Sequence, residues 1–139
     1  MTLVSPENLF ASFKANPPAS PDAVSQCQSN LKFLLPADYV QFLERTNGGE
    51  GFVGENYLMA CPVEDLIQCN KDYHVEQRTP GLLLFGSNGG GEAFAFDTRS
   101  TPPVIVTVPF IVLNLVDAIV VAPNFTAFLQ HLYRSEYLF

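Results

Sequence analysis

Basic residues are scarce in this chain of 139 residues: seven lysines and arginines stand against fourteen aspartates and glutamates, a formal net charge of −7. Nucleic acid and anionic membrane surfaces are repelled by such a balance, which excludes both as partners. Charged residues of either sign make up only 15% of the chain against 47% hydrophobic residues, too apolar a composition for a disordered segment. No apolar run approaches the ~20 residues needed to span a bilayer. The stretch from Met1 to Glu7 has neither a basic segment nor a continuous apolar one, so it does not read as a signal peptide. The three cysteines, Cys27, Cys61 and Cys69, are odd in number and lack framework spacing, which fits reduced thiols in a cytoplasmic protein. With no repeat, low-complexity segment or linker, the expectation is one domain over residues 1–139, built on one core.

Residues for chemistry are equally few. There are two histidines, His74 and His131, and no Gly-x-Ser-x-Gly elbow. The glycine-rich stretch 86–92 lacks the lysine of a phosphate-binding Walker loop, lies between two expected strands, and ends in Glu92, which would repel phosphate. It reads first as a hairpin connection. Glu92 and Asp97, five apart in an alternating strand, point to opposite faces and do not converge as an acid/base couple. Cys61, Cys69 and His74 lack the paired spacing of a structural zinc site. No catalytic residue, metal ligand or cofactor is assigned, and the chain is not expected to be an enzyme.

What is present is a sequence of well-marked elements. Ser5-Pro6-Glu7 and Ser20-Pro21-Asp22 each combine an N-cap hydroxyl, a first-turn proline and an acid near the helix start. The first helix is expected to turn Leu9, Phe10 and Phe13 inward and to break at Asn16-Pro17-Pro18. The second, over residues 21–31, has Val24, Cys27 and Leu31 on its apolar side. The third, over residues 35–46, is complete: Pro36 and Asp38 suit its first turn, Leu35, Tyr39, Phe42 and Leu43 share a face, and Asn47-Gly48-Gly49 ends it by tolerating left-handed backbone.

This third segment, Leu-Pro-x-Asp-Tyr-x-x-Phe-Leu closed by Asn-Gly-Gly, resembles the opening signature of the SUKH superfamily. Residues 66–73, the glycine-rich 85–97 and 119–132 follow in the same order, so the resemblance covers about residues 20–135. It implies a SUKH-like domain and a binding function. That superfamily includes fungal regulators of cell-wall synthesis and many bacterial immunity proteins that neutralise toxins. In such a domain the glycine-rich connection lies near the partner face.

Beyond the third helix, strands are expected over residues 56–60, 82–85, 92–97, 103–108 and 117–122, with residues 110–115 readable as strand or helical turn. A helix over 62–77 is inserted among them, turning Val63, Leu66, Ile67 and Asn70 or Tyr73 to one side. Phe125, Phe128, Leu129, Leu132 and Tyr133 make an unbroken helical face at the end. The fold class is therefore α+β: N-terminal helices, a mainly antiparallel sheet of about five to six strands with an inserted helix, and a C-terminal helix packed on the sheet.

Charge is concentrated. Residues 44–97 carry nine acids against three bases. Such a surface steers a basic partner by long-range attraction. The first functional reading is a protein-binding domain, an immunity protein holding a basic, nuclease-like toxin domain. Glu50, Glu55, Glu64, Asp65, Asp72 and Glu92 are the candidate charged contacts, and Phe52 and Tyr57 the candidate anchors. The second is a regulatory scaffold for an endogenous protein, and the third a small-ligand or enzymatic domain using a deep pocket at residues 86–92. The expected assembly is a monomer or weak homodimer.

Overall fold

The computed structural model describes residues 3–135, so the Met1–Thr2 start of the N-terminal stretch lies outside the described residues. The chain is α+β, and its seven strands form a single antiparallel sheet in sequence order. They are β1 (Ser12–Ala15), β2 (Gly49–Val53), β3 (Asn56–Ala60), β4 (Leu82–Ser87), β5 (Glu92–Asp97), β6 (Val104–Pro109) and β7 (Ile119–Ala122). The helices are α1 (Pro6–Leu9), α2 (Pro21–Ser29), α3 (Ala37–Arg45), α4 (Leu66–Asp72), α5 (Val75–Arg78) and α6 (Phe125–Arg134). No helix among the described residues is long and apolar enough to cross a membrane.

Period-2 alternation divides the sheet into two faces. Leu83 and Phe85 of β4, with Phe94 and Phe96 of β5, turn to the main core, while Leu82, Leu84, Ala93 and Ala95 turn the other way. The main core is aromatic. Tyr39 meets Phe96 and Phe125 edge-on at 5.1 Å each, Phe94 meets Phe128 at 4.8 Å, and Phe85 meets Phe96 at 4.7 Å. Helices α3 and α6 thus lie on the same face, and Asp38 ties them together. Its carboxylate accepts Thr126 N–H at 2.9 Å and Thr126 O–H at 3.0 Å, so one acid serves the first turns of two helices. Ser5, Ser20 and Asn124 cap α1, α2 and α6 with their side chains.

Four elements differ from the sequence expectation. The first helix stops after one turn, and the chain enters β1, where Phe13 stays inward while its backbone pairs with β2. Strand β2 itself lies where only a glycine-rich exit from α3 was expected, so the sheet has seven strands. The long helix over 62–77 is a 3₁₀ turn at Val63–Asp65, then α4, then α5, broken where His74 takes a left-handed conformation at φ 54°. That break lets Val75 turn into the second apolar cluster. Helix α3 ends at Thr46 in extended backbone, before the Asn-Gly-Gly. Asn47 serves instead as a clamp: its Oδ1 accepts Val63 N–H at 2.8 Å and its Nδ2 donates to Glu64 Oε1 at 2.7 Å. Gly48 follows at φ +74°, where a Cβ would lie 2.4 Å from the Ala60 carbonyl oxygen. The segment 110–115, open between strand and turn, is a turn leading to a second 3₁₀ turn at Leu115–Asp117.

Strands β3 and β4 stay paired over only two positions, Met59 with Ser87 and Ala60 with Gly86, and then part. Helix α4 occupies the gap. Its Asn70 accepts Leu84 N–H at 2.8 Å and donates to the Leu84 carbonyl at 2.9 Å, replacing the strand that has moved away. Asn70→Ala is therefore expected to lower unfolding stability by about 2–3 kcal/mol, since it strands both groups of Leu84. A contrasting case is the Tyr39 hydroxyl, buried with no hydrogen-bond partner among the described residues. Tyr39→Phe is expected to leave stability unchanged or raise it by about 1 kcal/mol, and Tyr39→Ala to cost about 3–5 kcal/mol. Urea unfolding of the variants measures all of these.

Candidate functional site

The face opposite the aromatic core is covered unevenly. Over β4 to β6, Val75 and Leu113 close on Leu82, Leu84, Ala93, Ala95, Val106 and Val108. Over β2 and β3 the face stays open. Because Val53, Leu58 and Ala60 turn into the core, Glu50, Phe52, Tyr57 and Met59 turn out of it. Register then places Phe52 opposite Tyr57, Glu50 opposite Met59, and Lys14 of β1 opposite Glu50.

These neighbours hold one another in place. The Phe52 and Tyr57 rings meet edge-on at 5.2 Å, and Tyr57 Oη donates to Glu50 Oε2 at 2.7 Å. That hydrogen bond pushes the Tyr57 phenol above its ordinary range. Gly89, at φ +78°, backs the ring from the β4–β5 hairpin; a Cβ there would sit 2.8 Å from Tyr57 Cδ2. On the other side Tyr73 and Phe110 meet in a tilted contact at 4.8 Å and form a wall. Between lies an open groove of about 490 Å³, lined by Lys14, Glu50, Met59, Cys61, Cys69, Tyr73, Ser87 and Phe110 among others. Phe52, Met59 and Tyr73 are each close to half exposed.

Two thiols lie at the bottom, where β3 and β4 part. Cys61 donates its backbone N–H to the Phe85 carbonyl at 2.9 Å, and Cys69 projects from α4. A hydrogen bond from the Cys61 thiol favours the Cys69 thiolate and holds Cys69 below the ordinary thiol range, against burial and the charges of Asp72 and Asp65. The same contact, with burial, pushes Cys61 up.

The structure brings together some of the residues singled out by sequence and separates others. Glu50, Phe52 and Tyr57 form one cluster on the groove face. Asp65 and Asp72 lie on the α4 side, close enough to act on the thiols. Asp72 Oδ1 also accepts from Gln68 Nε2 at 2.8 Å. Glu64 is turned to Asn47, whose hydrogen bond holds its carboxyl below the usual range. Glu55 sits at the exposed tip of the β2–β3 hairpin. Glu92 shares the face of Phe94 and Phe96, accepting Thr107 Oγ1–H at 3.2 Å, and does not join the groove. Asp97 lies on the opposite face, held below the carboxylate range by Arg99 at 2.8 Å.

The hairpin 86–92 is folded in on itself. Gly89 N–H goes to Ser87 Oγ, and Gly90 and Glu92 N–H both go to Asn88 Oδ1. Those three amides are spent internally, and Gly90 and Gly91 stand in solvent. Only Gly86 and Ser87 of this stretch touch the groove. Among the described residues no three of His, Cys, Asp and Glu gather as a metal site.

Sequence reasoning missed Met59, Tyr73 and Phe110 as lining residues. Alternation in β3 already puts Met59 beside Tyr57, so that one was readable. The Tyr73–Phe110 pair joins segments far apart in the chain, and nothing local in either segment announces it.

Comparison with known proteins agrees with this architecture. The profile of the SMI1 / KNR4 family (SUKH-1) matches residues 18–131. The uncharacterized protein YnaB of Bacillus subtilis (strain 168) is 32% identical over 91 residues, a match covering 66% of this chain. It covers 58% of YnaB, so the chain spans less than two thirds of that relative's length.

The thiol pair gives a pH-dependent outcome. A lowered thiol exposes its nucleophilic form as pH rises through a value below that of a free cysteine. Alkylation by iodoacetamide, followed by peptide mass spectrometry, is expected to modify Cys69 ahead of Cys27 and Cys61, with its rate midpoint below that of a free cysteine. Cys61→Ala removes the donor and should move that midpoint upward.

Proposed function

The chain belongs to the SMI1 / KNR4 family (SUKH-1), and from that premise we propose that it is a non-enzymatic, cytoplasmic immunity protein that binds and neutralises a toxin domain. The observation that carries this reading is the groove face: Phe52, Met59 and Tyr73, close to half exposed, beside a fixed Glu50–Tyr57 pair. Exposed aromatic and aliphatic side chains held rigidly by neighbours are the anchors from which protein interfaces draw most of their binding energy. The residue types around them offer no nucleophile–base pair, and the glycine-rich hairpin turns its donors inward. Binding, not chemistry, is what such a surface does well.

Charge suggests the partner. The segment 44–97, with nine acids and three bases, includes β2, β3, α4 and β4, which all contribute to the lining of the groove. Glu50, Asp65 and Asp72 stand around it, with Lys14 as the opposing charge. A basic, nuclease-like domain is therefore steered toward this face, and the long-range attraction acts mainly on the association rate.

The test is capture from the source cell at low salt, with the wild-type chain and Phe52→Ala as paired baits. A secreted toxin domain retained by the wild type, released by salt and inhibited by it, is the expected result. Phe52→Ala should weaken that binding roughly 10- to 100-fold. Equal capture by both baits, or an association rate indifferent to salt, would sink the proposal. Recovery of an endogenous cell-wall or housekeeping protein in place of a toxin would favour the regulatory-scaffold reading.

A further inference from the structure

The far edge of the sheet from the groove carries a second concentration of exposed apolar side chains. Ile111 is 91% and Val116 88% exposed, Ile119 and Val120 are each more than half exposed, and Val112 is half exposed. All five fall within ten consecutive residues, on strand β7 and the loop that leads into it. Leu113 of that loop is buried and Leu115 packs on the second cluster, so the loop is anchored and holds its other side chains outward.

The two edges of the sheet are unlike. β1 carries Lys14 and runs into Asn16-Pro17-Pro18, features that discourage further strand pairing. β7 is Ile-Val-Val-Ala, uncharged and β-branched, and it pairs with β6 on one side alone. Its outward backbone donors and acceptors are a template for another strand. Asp117 is the only charged residue between positions 110 and 123.

We propose that β7 and the 111–118 loop form a self-association surface, through which two copies of this chain pair antiparallel, β7 against β7, about a two-fold axis. Three observations favour a second copy as the occupant. The first is charge: each copy carries −7, but residues 110–123, which supply this edge, hold Asp117 as their single charged residue. Like-charged molecules therefore meet with least repulsion at this end. The second is symmetry: an antiparallel pairing of identical edge strands is self-complementary, so one patch provides both halves of the interface. The third is position. Val120 and Ile119 flank the β7 edge on opposite faces of the sheet, so an edge-to-edge pairing brings both into reach of a second copy. With only four residues in β7, aliphatic burial carries the contact, and the dimer is expected in the micromolar range, on the order of 1–100 µM.

The full chain is tested by sedimentation equilibrium over roughly 1–500 µM, a span chosen to bracket that affinity. The expected result is a reversible monomer–dimer equilibrium. Val120→Lys and, separately, Ile111→Glu each place like charges across the axis and should weaken it by about 100-fold or more. Ile111 is so exposed that its replacement leaves folding untouched, which keeps the test valid if Val120→Lys perturbs the strand. Phe52→Ala, on the groove, should leave the dimer unchanged, so failure here is separate from failure of the binding function proposed above. A chain that stays monomeric throughout, including one that reserves this edge for a strand of a different protein, overturns the proposal. So does a dimer that both charged variants leave intact.

Discussion

The parting of β3 from β4 is the constraint on which the rest of the molecule depends. After Ala60 and Gly86 the two strands separate, and each is left with backbone groups that need partners. Cys61 still reaches the Phe85 carbonyl, but Leu84, one position further along β4, has β5 on one side and no strand on the other. Asn70 meets that need because an amide side chain carries one donor and one acceptor at about the spacing of a peptide group. Helix α4 is therefore held against β4 by the shape of a peptide bond as well as by apolar packing. The opening it leaves on the other face is the groove, with the two thiols at its base and Tyr73 at its wall.

From that geometry the division of labour between faces follows. The aromatic face is closed by α3 and α6, joined through Asp38 and Thr126, and it buries rings in mutual edge-on contact. The opposite face is closed only where α5 and the 110–118 loop lie on it. Over β2 and β3, Phe52 and Tyr57 lie beside the groove that Met59 and Glu50 line; at the far edge, β7 presents aliphatic residues with almost no charge. Acids and bases are thus distributed unevenly over the sheet, with the acids gathered in the segment 44–97 and the β7 edge almost uncharged.

How much of this the sequence discloses depends on how local the cause is. The continuous apolar run of residues 82–85, the alternation in residues 92–97 and the helical face of residues 125–133 are local signals and are legible. The third helix is legible for the same reason, and its signature carries the family resemblance. The brevity of α1 is not, because a helix-start signal at Ser5-Pro6 says nothing of the pairing with β2 that draws Ser12–Ala15 into a strand. Strand β2 was hidden by its glycines, which read as loop. The break at His74 is invisible for a related reason: nothing in a helical pattern over 62–77 shows that Asn70 is committed to Leu84 and that Val75 must turn to a different cluster. For the site, acids and aromatics were identifiable by type, but their grouping was not. Glu50, Phe52 and Tyr57 converge because β2 and β3 pair in one register, while Glu64 and Glu92 are drawn off by Asn47 and Thr107.

The residues that carry the family signature and the residues of the groove are almost disjoint sets, and this has a consequence for binding. Leu35, Tyr39, Phe42 and Leu43 point into the aromatic core, and Asn47 and Gly48 fix the route from α3 to the 3₁₀ turn before α4. Truncating any of the four apolar side chains, or removing the Asn47 amide, disturbs packing or a buried hydrogen bond, at a cost of roughly a few kcal/mol. Phe52, Met59 and Tyr73 are half in solvent, so replacing them alters what the groove can hold while the fold loses little. A domain arranged in this way can exchange the side chains of its open face on a constant frame. The exception is Tyr57, tied to Glu50 by its hydroxyl and backed by Gly89, whose side chain could not be larger without moving the ring. Tyr57 is where the frame and the exposed face meet, and its contacts with Phe52, Glu50 and Gly89 fix the position of that face's aromatic pair.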